Sequence, residues 1–569
     1  MDKRIDKLAM VKGWFEEAVG SAAYQAWRKE AKAAWDFYDG NQWTREEVEA
    51  LSEHGQPAIV INRIAAKVDN LAGSEVAGRT RVIYRSRSGA KGEEDTARVL
   101  TDLALYVAER NDQALEVSAM FKAGLVGGIG WLDVGVEERD EGAFIFNRCE
   151  DEFAVVWDPS ARRPDLSDAR FVARERWLDA EEVGQLFPDK AGKVLEAMQG
   201  SMLRGGQAYG LAMAGRGAEV AYVDDARGVH RVVEVQYKEL ARHWRVRKAD
   251  GTLVSTFDKA VVTALGKGCV VEEVSEIPQV RVAYFAGDVL LDDRELAYGH
   301  NGFTLIPYVY KRHKADGRPY GLVRAAMDPQ RELNKRRSKA MHLLNTAQVI
   351  ADVDAVDDPN MLAREAARPD GVILKRSGKD LRIIRNSDLA ASQVSVMEQA
   401  GRDIQDVMGV FDENMGKPSN AVSGVAIQQR QMAGAMNQMF AFDALRMTKK
   451  RLGEQVLALV RQFFSHEMVI LITDVVGAGR QVRLNTPVRD DAGAPIVLDG
   501  VELRENDVRS GVFDVVVEEV KDVMSGREQD ARNLELLVKA GVPIPPAVLV
   551  EASGVRDKEK ILAGLGQKD

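Results

Sequence analysis

Residues 320–345 read YGLVRAAMDPQRELNKRRSKAMHLLN, and residues 425–466 read VAIQQRQMAGAMNQMFAFDALRMTKKRLGEQVLALVRQFFSH. In both stretches apolar side chains recur at three- and four-residue spacing, which is the period of an α-helix with one apolar face. Both also carry several lysines and arginines. At about 1.5 Å per residue the second helix would reach about 60 Å. Such helices suit a lone globule poorly, and we expect copies of the same helix to surround a polar bore in an assembly.

Size and composition limit the class of protein. The chain has 569 residues, of which 45% are apolar and 29% charged, so several folded domains are expected. The formal net charge of −10 argues against a generally basic protein that coats DNA, but it is compatible with a local basic stripe. The two cysteines, Cys149 and Cys269, predict reduced thiols in a cytosol-like solvent and no disulfide scaffold. Neither a signal peptide nor a membrane span is predicted.

Helical periodicity dominates the first 130 residues, and strand periodicity follows. Helices are predicted over residues 5–38, 62–74, 93–110 and 111–125. From Trp131 the apolar period becomes two, which predicts strands at 131–136, 142–149, 154–157, 230–244, 268–276 and 281–291. All eight tryptophans precede residue 245. This shift separates a mixed N-terminal half from a more helical remainder, and the predicted fold class is α+β.

The remainder alternates long helices with short β-like stretches. The first basic helix is expected to start at Asp328, with Pro329 as its first residue. Residues 350–376 carry β-like and turn residues, including a turn at Asp357-Asp-Pro. The Met-rich apolar row of the second basic helix is interpreted as helix packing. Further elements are expected at 388–408 (helix), 469–474, 481–485 and 513–518 (strands), and 526–540 (helix).

Five stretches carry a resemblance through their order and spacing rather than through one decisive motif. They are Ile61–Gly73, Asn111–Trp131, Trp157–Ala169, the helix from Tyr320 with Asn334–Lys339, and Ser423–Gln431. Taken together over about residues 35–470, they resemble the portal proteins of tailed bacteriophages. These are the head-to-tail connectors, and the chain is most similar to the short-tailed-phage type.

The resemblance implies a portal-like α+β fold and a ring, of twelve subunits in that family, around a central channel. The implied parts are a wing at 1–319 that is β-rich from about 131, stem helix 1 at 320–347, a clip at 348–387, stem helix 2 at 388–411, a tunnel loop at 412–424, the long helix at 425–466, and C-terminal β elements with a helical crown or tail at 467–569.

The resemblance also implies a function without chemistry. The ring would form the channel at one capsid vertex for packaging and ejection of viral DNA. The implied partners are other copies of the chain, double-stranded DNA without sequence specificity, the terminase large subunit, the major capsid and scaffolding proteins, and head-completion or tail adaptor proteins. The subunit would be assembled in the host bacterial cytoplasm and reside in the virion. It would be no enzyme, bind no cofactor and contact no membrane.

Three groups of residues are candidates for these roles. Lysine and arginine neutralise phosphates without reading sequence, so the candidates for the DNA channel are Arg331, Lys335, Arg336, Lys339 and Arg430. The alternative for each is a solvated helix face or an ion pair. The tunnel-loop candidates are Asn414, Lys417, Ser419, Asn420 and Ser423, with an ordinary helix connection as the alternative. The candidates for partner docking on the clip are Asp354, Asp357 and Asp358.

Motifs for catalysis or metal binding are incomplete in this sequence. The glycines at 124–130 close a helix and open a strand, the reverse of a phosphate-binding loop. The acidic run 352–358 lacks the central glycine and distal glutamate of a calcium loop. The seven histidines have no metal-ligand spacing. Two alternatives remain, namely another structural head-tail connector or minor virion protein and, less favoured, an enzyme that acts on nucleic acid.

Overall fold

The computed structural model describes most of the chain before residue 520. The described residues are 6–87, 91–140, 142–190, 192–193, 222–224, 226–247, 253–265, 269–296, 298–368, 370–384, 387–411, 424–473, 479–490, 494–498, 501–502, 504–509, 513–519 and 538–539. Helices and strands are mixed within them, which confirms the α+β class at that level.

Four helices open the chain: α1 (Lys7–Gly20), α2 (Ala22–Asp39), α3 (Arg45–Glu53) and α4 (Arg63–Ala77). The prediction of a single helix over 5–38 is wrong. Ser21 has extended backbone, and its hydroxyl caps α2 by accepting a hydrogen bond from the Tyr24 amide at 3.3 Å. Apolar periodicity continues across this serine, so the periodic pattern alone did not reveal the break.

The middle of the chain supplies two more long helices and most of the strands. In order these are β1 (Thr80–Ser86), α5 (Lys91–Arg110), α6 (Gln113–Gly127), β2 (Ile129–Arg139), β3 (Gly142–Glu150), β4 (Val155–Trp157), β5 (Phe171–Leu178), α7 (Ala180–Leu186), β6 (Val223–Asp224), β7 (Val229–Arg247), β8 (Leu253–Thr256), α8 (Lys259–Ala264), β9 (Val270–Ala286), β10 (Val289–Glu295), β11 (Leu305–Val309), β12 (Lys311–Arg312) and β13 (Pro319–Tyr320).

These strands form two principal antiparallel sheets. One has the order β11-β2-β3, and the other has the order β10-β9-β7-β5-β4 with β6 and β8 also paired to β7. The predicted strands 268–276 and 281–291 have the wrong boundaries. β9 continues through Pro278, and the chain reverses at Gly287, whose φ of +57° suits glycine.

Two hydrophobic clusters hold the body together. In the first, α1 and α2 pack on the larger sheet through aromatic side chains, with Trp27 and Trp157 edge to face at 4.9 Å. The second joins α4, α5, α6 and the smaller sheet to the helices that follow residue 326. The N-terminal concentration of tryptophan therefore corresponds to a real aromatic core.

A pair of long helices with a small insert follows the body. The helices are α9 (Met327–Asn345) and α11 (Ser387–Met408), which pack against each other. The insert contains β14 (Gln348–Ala351), α10 (Pro359–Ala367) and β15 (Leu381–Ile384), and its two strands pair antiparallel.

Two sequence-based expectations for this region need correction. The helix α9 starts two residues before Pro329, its expected first residue, and follows a 3-10 turn at Val323–Ala326. Pro329 is therefore its third residue. Proline is tolerated there because first-turn amides have no partner within the helix. Helix α10 was not predicted. Asp358 caps it and Pro359 is its first residue, so the Asp-Pro pair starts a helix rather than a turn.

The chain then forms the 40-residue helix α12 (Gly424–Phe463), as expected. The strands that follow are β16 (Met468–Thr473), β17 (Gly479–Leu484), β18 (Thr486–Pro487), β19 (Val497–Leu498), β20 (Val501–Glu502), β21 (Arg504–Glu505) and β22 (Phe513–Glu519). β22 pairs antiparallel with β1, with Thr80 opposite Glu519. Only Val538 and Lys539 of the predicted helix 526–540 lie within the described residues, and both are helical.

Candidate functional site

Three polar side chains on α9, four residues apart, are buried against the extended segment 59–63. Each accepts a hydrogen bond from a backbone amide of that segment at 3.1 Å. The pairs are Gln330 Oε1 with the Arg63 amide, Asn334 Oδ1 with the Ile61 amide, and Ser338 Oγ with the Ile59 amide. Four helical residues rise about 6 Å and two extended residues about 6.7 Å, so successive helix turns meet alternate amides. We call this arrangement the polar ladder.

Further hydrogen bonds cross-link the polar ladder. Gln330 Nε2 donates to the Ile61 carbonyl oxygen at 2.7 Å and to Asn334 Oδ1 at 3.1 Å. Asn334 Nδ2 donates to Gln42 Oε1 at 2.6 Å, and Gln42 Nε2 donates to the Phe37 carbonyl oxygen at 2.8 Å. Because a buried polar group left without its partner costs about 1–3 kcal/mol, rotation of α9 about its axis is strongly opposed. The ladder therefore fixes which side of α9 faces outward.

The outward side carries the predicted basic row. Arg331, Lys335 and Lys339 are spaced by four residues and so share one side of α9. The Arg331 guanidinium lies 2.9 Å from the Asp328 carboxylate, and Lys335 Nζ lies 2.8 Å from the Glu47 carboxylate on α3. Lys339 is exposed.

Arg336, the fourth channel candidate on α9, lies apart from this row. The Arg336 guanidinium is 3.2 Å from Glu332 of its own helix and 3.2 Å from Gln393 Oε1 of α11, so it joins the two helices. Three of these four candidates therefore make contacts within the chain. Half-exposed pairs of this kind contribute about 0–1 kcal/mol, so a phosphate can compete for the same cations. DNA contact by these residues stays a prediction.

Helix α4 holds the second helix of the pair at two points. Arg63 packs so closely on α11 that a Cβ atom on Gly401 would lie 2.4 Å from Arg63 Nη1. The buried Lys67 ammonium donates a hydrogen bond to the Val410 carbonyl oxygen, directly after α11 ends. The start of α4 therefore positions both long helices, since residues 59–63 bind α9 and residues 63–67 bind α11.

The predicted tunnel loop lies outside the described residues. This holds for Asn414, Lys417, Ser419, Asn420 and Ser423, and for the side chain of the channel candidate Arg430.

The clip candidates lie between β14 and α10 of the small insert. Asp354 is exposed and has a left-handed backbone, with φ of +65°. The Asp357 carboxylate forms an ion pair with Arg376, and Asp358 accepts a hydrogen bond from the Asn360 amide at 2.8 Å as the cap of α10. Asp357 and Asp358 thus have local structural roles, and partner docking by these residues stays a prediction.

Helix α12 is buried along its C-terminal half and bears exposed apolar side chains further towards its N-terminus. Its C-terminal half packs on β1, β2, β11 and β22 through buried apolar side chains, namely Leu445, Leu452, Val456 and Val460. The Lys449 ammonium is buried there, 3.2 Å from the Glu75 carboxylate, and burial lowers the pKa of Lys449. Further towards its N-terminus, Met436, Met439 and Phe440 are exposed. The sequence-based interpretation predicted that these three side chains pack against another helix, and within a single chain they do not.

Buried charges elsewhere have structural partners. The Arg174 guanidinium binds the carboxylates of Asp133, Glu150 and Glu234, and it joins the smaller sheet to the larger one. In the part of the chain that the structure describes, no three metal-binding side chains are placed to hold an ion. None of the described helices combines the length and apolarity needed to cross a bilayer.

Comparison with known families shows the family of this chain. A family model described as phage P22-like portal protein matches residues 12–567. The chain belongs to the P22-like phage portal family. Portal proteins of this family are structural components of the virion, which places the chain among phage head-tail connectors. A search of curated protein sequences gave no match.

Sequence reasoning found the portal resemblance and the basic row but missed the polar ladder. Gln330, Asn334 and Ser338 have the four-residue spacing of an apolar stripe, but they are polar. The signal that could have revealed the polar ladder is this uncharged polar row, because it lies on a different side of α9 from the basic residues. Of the partner segment 59–63, residues 62 and 63 were included in the predicted helix 62–74, and residues 59–61 were given no secondary structure.

Proposed function

We propose that this chain is the portal subunit whose ring forms the DNA channel at one capsid vertex. In this proposal α9 and α11 are the two stem helices, the insert between them is the clip, and residues 412–424 form the tunnel loop. The rest of the body up to residue 319 is the wing. The ring admits DNA during packaging and releases it during ejection.

The observation that carries the proposal is the fixed orientation of the basic row. The polar ladder buries one side of α9 against residues 59–63, and α11 covers a second side. Arg331, Lys335 and Lys339 occupy the remaining side at about 6 Å intervals along the axis. Rigid placement matters because a ring repeats each charge at one height, and repeated weak charges create a strong local field.

The mechanism is electrostatic and needs no chemistry from this chain. Phosphate contacts from lysine and arginine carry no sequence information, so any DNA sequence can pass. Exposed ion pairs such as Lys335–Glu47 are weak, and their cations can exchange between a carboxylate and a passing phosphate. The same weakness keeps the DNA from binding tightly, which movement through the channel requires.

The clip is the proposed docking surface for the terminase large subunit during packaging and for head-completion or tail adaptor proteins afterwards. Its support is the position of the insert at the end of the helix pair that is remote from the body. The wing is proposed to contact the major capsid and scaffolding proteins. The alternative is a connector that forms a ring but does not carry DNA.

Electron micrographs and native mass measurement of the purified full-length chain test the ring. We expect closed rings with an axial hole that admits duplex DNA. A protein that stays monomeric at all concentrations and salt conditions would refute the proposal.

Salt-dependent DNA binding tests the channel separately from the ring. The double variant K335Q/K339Q should still form rings but bind duplex DNA with a shallower dependence of log K on log salt. The expected change in slope is about 0.9 for each phosphate that the variant no longer neutralises. The matched control is R45Q, which removes an exposed arginine of α3 from its pair with Glu49. Equal slopes for both variants would favour the alternative connector without DNA contact.

A further inference from the structure

A cavity of about 490 Å³ opens between the end of α4, β1, α5, the start of α6 and α12. Ligand sites in proteins commonly have volumes of about 300–1,000 Å³ and combine apolar walls with a few polar groups. The apolar wall includes Val117 of α6 and Leu452 and Val456 of α12, which are all buried. We call this space the α4–α12 cavity. Among its described lining residues, none is a candidate for the channel, the clip or the tunnel loop.

One end of the α4–α12 cavity carries two cations and one carboxylate. Lys449 Nζ lies 3.2 Å from Glu75 Oε1, and Ser118 Oγ donates to Glu75 Oε2 at 2.6 Å, so both carboxylate oxygens are used. Arg79 lines the same cavity, and its Nε atom is buried without a hydrogen-bond partner among the described residues. A buried donor of this kind is destabilising unless it gains an acceptor. An anionic group bound at this end would supply that acceptor.

The acids at the opening of the cavity act more weakly than the cations inside it. Glu109 and Asp112 are exposed, Asp102 is half-buried, and Asp102 and Glu109 also interact with other groups of the chain. Water and salt screen exposed charges, whereas a buried charge acts through a lower effective dielectric constant. The excess of positive charge inside is felt at Lys449, because burial lowers the pKa of Lys449 and the charge of Arg79 lowers it further.

The polar groups at the other end of the cavity already form hydrogen bonds within the chain. The Tyr84 hydroxyl donates to the Gly453 carbonyl oxygen at 2.9 Å, and the Thr101 hydroxyl donates to the Ala97 carbonyl oxygen at 2.9 Å. Thr80 and Tyr84 both line the cavity and are four strand residues apart, which corresponds to about 13 Å. The cavity is therefore elongated, with its excess charge at one end.

We propose that the α4–α12 cavity binds a small amphipathic anion. The anionic head group lies against Arg79 and Lys449, and the apolar body lies along Val117, Leu452 and Val456, which all line the cavity. A volume of this size suits a small molecule, whereas a protein partner covers a surface of about 800 Å² on each side. Binding there needs neither the ring nor DNA, so it goes beyond the proposed function and does not rest on it.

Three probes with the same alkyl chain and different head groups test the proposal: decanoate, decanol and decyltrimethylammonium. Each is titrated into the full-length chain below its micelle concentration, and binding is measured by calorimetry. We expect decanoate to bind at one site per chain and at least about tenfold more tightly than the other two, because charge-assisted hydrogen bonds are the stronger ones. Hydrogen exchange locates the site, since decanoate should protect amides of α5 around Leu105 and of α12 around Leu452.

Variants test the two ends of the cavity separately. R79Q removes a positive charge from the head-group end, so it should weaken decanoate binding about tenfold or more and leave decanol binding unchanged. The matched control is R85Q, which removes an exposed arginine of β1 from its pair with Glu518 and should change neither affinity. A108W fills the cavity from α5 and should abolish the binding of both probes. The melting temperature of each variant shows whether it is folded.

The outcomes separate this proposal from the proposed function. Equal affinities for the three probes, protection by decanoate at a different surface, or a folded R79Q that binds decanoate as wild type does would each overturn the assignment. The comparison of probes on the wild-type chain decides the matter even if a variant does not fold. A chain that forms rings and binds no decanoate would refute the ligand and leave the ring standing. A chain that binds decanoate in this cavity and stays monomeric would refute the proposed function alone.

Discussion

Asn334 is the residue whose removal tests the polar ladder most directly. It is buried, its Oδ1 accepts from the Ile61 amide, and its Nδ2 donates to Gln42 Oε1. The variant N334A removes these hydrogen bonds from the buried Gln42 Oε1 and from the part-buried Ile61 amide. At about 1–3 kcal/mol for each orphaned group, we expect a loss of about 2–6 kcal/mol in the free energy of unfolding.

Two assays measure this loss. Denaturant unfolding should show a lower midpoint with an unchanged slope, because the surface exposed on unfolding stays the same. Hydrogen exchange should show the Ile61 amide exchanging about 5- to 150-fold faster, which corresponds to its own lost 1–3 kcal/mol. The control K339A removes an exposed side chain of the same helix and should change stability by less than about 0.5 kcal/mol. If N334A behaves like K339A in both assays, the polar ladder does not fix the orientation of α9.

Three further predictions concern single residues. K449M removes the ammonium group that pairs with the buried Glu75 carboxylate and leaves the hydrogen bond from Ser118. We expect the free energy of unfolding to fall by about 3–5 kcal/mol, measured by thermal or denaturant unfolding. An unchanged midpoint would contradict the buried pair. Burial lowers the pKa of His300 to about 4, and its Nδ1 accepts from the Gly302 amide at 3.0 Å. The unfolded chain binds a proton at this histidine below about pH 6.5 and the folded chain does not, so stability should fall from pH 6.5 to about 4. H300N should reduce that fall in melting temperature, and equal falls would refute the assignment. Burial alone would raise the pKa of Asp158, but hydrogen bonds from Arg170 and Ser160 hold it far below its usual range. The stability that Asp158 contributes above about pH 4 should therefore be lost in acid. D158N should be less stable than wild type at pH 7, and the difference should shrink steadily as the pH falls from about 4 towards 2. A constant difference across that range would be the contrary result.

Sequence patterns predicted the elements whose periodicity is long and regular. Helix α12 was expected over 425–466 and spans Gly424–Phe463, and helix α11 was expected over 388–408 and spans Ser387–Met408. The strand pair from Trp131 was also predicted, at 131–136 and 142–149, and it spans Ile129–Arg139 and Gly142–Glu150. Predictions failed where a single capping residue decides where a helix begins, as Ser21 does for α2 and Asp358 does for α10.

The candidate site was predictable only in part. The basic residues of α9 are visible in the sequence because their charge and spacing are local properties. Their orientation depends on a hydrogen-bonded contact with residues about 270 positions earlier, as the Ile61–Asn334 bond shows. Exposure is likewise not a local property, because Met436 and Phe440 are exposed although they are apolar like the buried Leu452 of the same helix. Periodicity identifies an apolar face but does not say which molecule covers it.

The pairing of β1 with β22 has a consequence for how the protein is made. A ribosome completes residues 80–86 long before it reaches residues 513–519, so β1 must wait for its partner strand through most of translation. Strand exchange with another nascent chain is a hazard during that interval. A product that terminates before residue 513 lacks the strand that pairs with β1. The β1–β22 pair therefore forms only after nearly the whole described chain has been synthesised.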